Sequence, residues 1–108
     1  MANWICGPLE FRSADAPMCA GDRVDFHTHN FPHATLIIAG RFGYTKKVRG
    51  EVIATGEIGA GETLCVEANE EHEFVAMRDN SQYVCCFPHR NWAGEIVDTY
   101  VGNGQQSQ

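Results

Sequence analysis

From residue 22 onward the chain reads as short apolar or alternating runs cut by turn residues. The runs predict strands over 22–29, 34–39, 41–48, 51–58, 62–67, 72–78 and 81–87. Between them stand Pro32, Gly40, Arg49-Gly50, Gly59 to Gly61, Asn69 and Asp79-Asn80, residues that favour turns through preset or positive φ. No window of about eleven residues repeats apolar positions at i, i+3, i+4 and i+7 without a Gly or Pro inside it, so no helix is predicted. Many short strands joined by Gly-rich turns imply an all-β sandwich or barrel. Gly40 and Gly43 fall inside strand patterns and predict a bend or bulge of the kind a small barrel needs.

The first twenty residues break this rhythm. They carry Trp4, Ile5, Leu9, Phe11 and Met18 without a clear period, and are read as an irregular arm, 1–20, packing on the barrel or on a second subunit. The barrel domain is expected over 21–100. The polar ending GNGQQSQ predicts a flexible tail, 101–108.

A chain of 108 residues suits one compact domain with one core. Its net charge of −6 argues against a nucleic-acid partner, because phosphate binding requires a positive surface. The apolar stretch from Leu36 to Gly40 is too short to span a membrane, and the N-terminus lacks the basic and apolar regions of a signal peptide, so a cytoplasmic protein is expected. The five cysteines include an adjacent pair and no CxxC. Most are read as small buried thiols in a reducing compartment rather than a disulfide framework or a structural zinc site.

Chemistry concentrates in FHTHNFPHATLIIAG, residues 26–40. On a strand, positions i and i+2 share a face, so His27 and His29 project together. Pro32 excludes a helical HxxxH pairing of His29 with His33, and His33 is expected to open the next strand. His72, in EEHEF, is the fourth candidate. Gly21, five residues, His27, one residue, His29, three residues, His33, six residues, Gly40 resembles the first motif of the cupin superfamily, G-x5-H-x-H-x3or4-E-x6-G. Only His33 departs, standing where the family usually has Glu. The second motif, G-x5-P-x-G-x2-H-x3-N, is matched in part. Gly61 and His72 keep the frame, while Glu67, Asn69 and Ala76 replace the Pro, the Gly and the final Asn.

The resemblance implies a cupin-type jelly-roll β-barrel (a double-stranded β-helix), with a divalent transition metal (Fe, Mn, Ni, Cu or Zn) held by His27, His29, His33 and His72. Four neutral imidazoles leave such an ion its full +2 charge, which favours anionic ligands in the open positions and disfavours the oxidised metal. Affinity is expected to fall as pH drops through the ordinary histidine range, about 6.5. The activities implied are those of an oxygenase, such as a dioxygenase acting on a small oxygenated organic molecule. Two other readings stay open: a protein that only binds a small ligand or metal, and a metal-assisted isomerase or lyase. An inward acid or base would favour the last, and strand parity assigns none.

Parity places Thr35, Ile37 and Phe74 on the metal-facing side as pocket candidates, with Tyr83 added without a settled direction. Plain core packing is the alternative for Ile37 and Phe74. Val24, Phe26, Leu36 and Ile38 are expected to face outward, where an apolar row needs cover and favours a homodimer. Glu67, Glu70, Glu71 and Glu73 read as a solvated acidic patch, and His89 with Arg90 and Trp92 as a surface turn.

Overall fold

The computed structural model describes residues 2–29, 31–88, 101–102 and 106–107; for Ala2, Phe26, His27, His29 and the two C-terminal pairs it describes the backbone alone. His89, Arg90 and Trp92 lie outside the described residues. The fold is all-β.

Its strands are β1 (Ala2–Cys6), β2 (Leu9–Ser13), β3 (Arg23–His29), β4 (His33–Ala39), β5 (Arg41–Val48), β6 (Glu51–Gly59), β7 (Thr63–Val66), β8 (Glu71–Ala76), β9 (Gln82–Pro88), β10 (Val101–Gly102) and β11 (Gln106–Ser107). They form two antiparallel sheets, ordered β1-β2-β9-β4-β7 and β11-β10-β3-β8-β5-β6. Turn chemistry sets the connections. Arg49 and Gly50 both take positive φ, 53° and 79°, between the paired Val48 and Glu51. That is the primed two-residue hairpin turn whose twist matches its strands.

The chain changes sheets twice near Gly40, once from β4 to β5 and once from β6 to β7. Three backbone bonds staple this corner: Ala60 N–H to Gly40 O, Gly61 N–H to Ile37 O, and Ile37 N–H to Glu62 O. Gly40 makes the bend expected of it, at φ 76°. Gly43 makes none, and pairs in an unbroken ladder with Glu57 and Val75.

The core lies between the sheets. Met18, Ile37, Phe42, Ile58, Phe74 and Ala76 form its buried cluster. Phe42 meets Phe74 and Tyr83 edge-on, at centroid distances of 6.4 and 5.8 Å, while Phe74 and Tyr83 stack at 6.4 Å. These are the offset and T-shaped arrangements that aromatic quadrupoles favour.

The N-terminal segment is ordered where irregular chain was expected. Gly7 (φ 57°) and Pro8 turn a hairpin that pairs Cys6 with Leu9, and β2 then pairs with β9. Met18 exchanges both backbone bonds with Ser81 and enters the core. Tail residues 101–102 pair with Thr28 and His29 of β3. Among the described residues no helix is long and apolar enough to cross a membrane.

Candidate metal centre

The structure brings His33 and His72 together from opposite sheets. Both are buried, and their ring centroids are 5.1 Å apart at 51°. Each sits on an inward position of a strand with strict burial alternation, as in HATLIIA of β4 and EHEFVA of β8. The backbone register pairs position 27 with His72. Of His29 the structure gives its place at the end of β3. Thr35, Ile37 and Phe74 line the same interior. Cross-strand register also settles Tyr83 and Cys85, which lie opposite Ile37 and Thr35 and so face inward.

Strict alternation fails in β3. A bulge shifts the register between Val24 and His27, so both positions pair with inward residues, Phe74 and His72 respectively. Val24 therefore packs against the core instead of facing out. One extra residue reverses the faces of everything beyond it. Leu36 and Ile38 are exposed at 40% and 53%.

Around the two rings, hydrogen bonds fix which nitrogen does what. His72 Nδ1 lies 3.0 Å from the carbonyl of Glu70. A carbonyl can only accept, so Nδ1 carries the proton and Nε2 holds the lone pair. Glu70 is not the solvated residue its acidic neighbours suggest. Its carboxylate accepts from Glu67 N–H at 2.9 Å and pairs with Lys46 Nζ at 3.2 Å, and Lys46 also donates to Cys65 O. The turn that supplies the carbonyl is thereby tied to β5. His33 Nε2 lies 3.0 Å from Thr35 Oγ1, which is 3.4 Å from Cys85 Sγ.

The two described rings, His33 and His72, are of a kind that suits a divalent transition ion. Neutral imidazoles suit Fe, Cu, Ni and Zn, and a ligating ring commonly donates its second N–H to a backbone carbonyl, as His72 does. Among the residues with described side chains no group of three His, Cys, Asp or Glu forms a metal cluster, and the side chains of His27 and His29 are not among them.

Three inward polar residues escape the sequence reading. Glu10 is 7% exposed, accepting from Asn3 Nδ2 at 2.9 Å and from Arg12 Nε at 3.0 Å. Arg12 lies 4.6 Å over the Phe87 ring and stands opposite Cys85. Lys46 stands opposite His72. For Glu10 and Arg12 the available signal was the alternation in LEFRS, within a segment expected to be irregular; the observed pairing with β9 turns both inward.

Burial pushes the Cys85 thiol up to about 11, against the pull of the Thr35 hydroxyl and the Arg12 guanidinium. Burial, with Cys85 beside it, pushes the Tyr83 phenol up to about 12. Both acids keep their protons in the folded chain beyond the pH at which the unfolded chain loses them, so the unfolded state then binds fewer protons and stability falls as pH rises. These groups should make stability decline as pH rises, first above about pH 9 through Cys85, with a smaller share from the raised Cys86 thiol, and then above about pH 10 through Tyr83, and the Cys85→Ala variant should weaken the first phase. Urea midpoints at pH 8 and pH 10 check this.

No family model matches the sequence, and no curated protein does. Solved structures do match in fold. The polyketide cyclase RemF from Streptomyces resistomycificus superposes at a TM-score of 0.58 with 21% identity, over 93% of this chain and 61% of that one. A cupin superfamily protein from Desulfitobacterium hafniense gives 0.66 and 14%, over 82% and 73%. The DMSP lyase DddQ from Ruegeria pomeroyi gives 0.62 and 17%, over 77% and 39%. The chain thus spans less than two thirds of the cyclase and the lyase. These likenesses define the class of the molecule, a protein with the cupin-type jelly-roll fold.

Proposed function

We propose that this chain is a metal-dependent cupin whose interior ion is held by His27, His29, His33 and His72, and that it acts as an oxygenase on a small oxygenated organic molecule. The observation that carries the reading is the pair of buried imidazoles, His33 and His72, 5.1 Å apart with position 27 in register beside them. A bound divalent ion would supply a Lewis acid with positions open to dioxygen or substrate oxygens. Thr35, Ile37, Phe74 and Tyr83 would form the substrate wall, mostly apolar with two hydroxyls, as small-molecule pockets tend to be. Ile37 and Phe74 belong to the interior cluster, Tyr83 packs against it, and Thr35 is fully buried.

Glu10 favours a second reading. An enclosed carboxylate held by Arg12 and Asn3 on the inner face is a group that can hold or take a proton, which an isomerase or lyase needs and an oxygenase does not. Simple ligand or metal binding without turnover is the third. Metal content of protein purified without added metal, measured beside His33→Ala, tests the site. We expect one divalent ion per chain in the wild type and a large loss in the variant. Unchanged content in His33→Ala would remove that residue from the ligand set. Oxygen uptake with iron or copper bound supports oxygenation. Turnover that persists without oxygen and is lost in Glu10→Gln supports the lyase reading. Tight zinc without turnover supports binding alone.

A cytoplasmic homodimer completes the proposal. All five cysteines are free thiols, in keeping with a reducing compartment, but Cys6, Cys19 and Cys65 lie exposed rather than buried as expected, because the strands and turns that carry them turn these side chains outward. Ile38 projects from the outer face of the five-stranded sheet between two shallow grooves of about 300 and 280 Å³, so ridge and groove share one face, as a two-fold interface requires. Light scattering should give twice the chain mass, and Ile38→Arg should halve it; a monomeric wild type would remove the dimer.

A further inference from the structure

We infer that Thr35 is a positioning residue that makes His33 bind through Nδ1, while His72 binds through Nε2, so that the two buried rings present different nitrogens to one ion. The inference rests on the metal-binding reading above and concerns only how these residues serve it.

A neutral imidazole has one N–H and one lone pair, and a metal takes the lone pair. For His72 the choice is made by the Glu70 carbonyl, which needs the proton on Nδ1. For His33 the group at 3.0 Å from Nε2 is a hydroxyl, which can donate or accept. Thr35 thus engages Nε2 in either tautomer, which leaves Nδ1 as the nitrogen that it does not touch. Coordination at Nδ1 then fixes the proton on Nε2, where Thr35 Oγ1 accepts it.

The hydroxyl's own proton has a destination. Cys85 Sγ lies 3.4 Å from Thr35 Oγ1, and a sulfur accepts weakly. Arg12, Cys85, Thr35 and Leu64 stand in one cross-strand row, which holds the three polar groups in line through backbone register rather than by flexible side chains. Thr35 is fully buried and β-branched, so its hydroxyl has little freedom to swing elsewhere.

The test uses the full chain, ¹⁵N-labelled and loaded with Zn²⁺. Long-range ¹H–¹⁵N correlation reports the tautomer of each histidine ring. The expected result is the Nε2–H form for His33 and the Nδ1–H form for His72. The isosteric Thr35→Val variant should lose roughly 10- to 100-fold in zinc affinity, the usual effect of deleting a partner of a ligating ring. Thr35→Ser, which keeps the hydroxyl, should restore it. His33 in the Nδ1–H form with zinc bound would overturn the inference while leaving the metal reading intact, as would a Thr35→Val variant with unchanged affinity and tautomer. A wild type that takes up no zinc, iron, copper, nickel or manganese would overturn both.

Discussion

Gly40→Ala should cost about 2–5 kcal/mol of folding stability, and Gly50→Ala no more than the lower part of that range. Both glycines have similar backbone angles, φ 76° and 79°. The left-handed conformation alone costs an L-residue about 1–2 kcal/mol. At Gly50 nothing lies near an added Cβ, so that is the whole expected effect. At Gly40 the Cβ would overlap Ser81 Oγ and sit 2.7 Å from Ser81 Cα. Backbone cannot swing aside as a side-chain tip can. Ser81 is fully buried, exchanges two backbone bonds with Met18, donates from Oγ to Arg78 O at 2.7 Å and accepts from Arg41 N–H at 3.2 Å. Moving it disturbs the arm, the corner and β5 together, for which overpacking typically costs about 1–3 kcal/mol more. The melting temperature should fall by about 10 °C or more in Gly40→Ala. Equal losses in the two variants would show that the crowding at Ser81 is relieved at no cost.

The parts of this fold that were legible in the sequence are those where burial follows alternation. HATLIIA and EHEFVA carry their pattern unbroken, and the structure buries the positions that the pattern selects. Gly40 and the Arg49-Gly50 turn were legible because few residues tolerate such backbone angles. The first strands were not. In LEFRS the inward positions are Glu10 and Arg12, which are stabilised by each other, by Asn3 and by Phe87. Asn3 and Phe87 come from other strands, so hydropathy alone turns the segment inside out. Val24 was misassigned for a different reason: a bulge is a property of pairing, and nothing in RVDFHTH announces it. The direction of Tyr83 and Cys85 likewise awaited the register with β4. For the candidate centre, spacing named the histidines, but the groups that orient them, the Glu70 carbonyl and Thr35 hydroxyl, become visible only in three dimensions.

His72→Ala should abolish stabilisation by divalent metal, the largest functional effect expected of any single change with a described side chain. A ligand that binds only the folded state stabilises it by about 2.7 kcal/mol at one hundred times its dissociation constant. For a domain of this size that is a rise of about 10 °C in melting temperature, which Zn²⁺ titrated into the wild type should produce. Of the two described rings His72 is the more enclosed: 1% exposed, held at Nδ1 by Glu70, 5.1 Å from His33 and 6.0 Å from Phe74. The alanine variant removes a nitrogen already oriented for coordination, so the remaining rings would have to rearrange to retain an ion. It also leaves the Glu70 carbonyl without its donor and opens a cavity beside Phe74, costing about 1–3 kcal/mol even in metal-free protein. The two effects separate experimentally. The metal-free melting temperature reports packing and the lost hydrogen bond, and the zinc-dependent increment reports coordination alone. A His72→Ala chain that melts lower yet gains the full increment with zinc would exclude His72 from the ligand set. A wild type with no increment would remove the centre altogether.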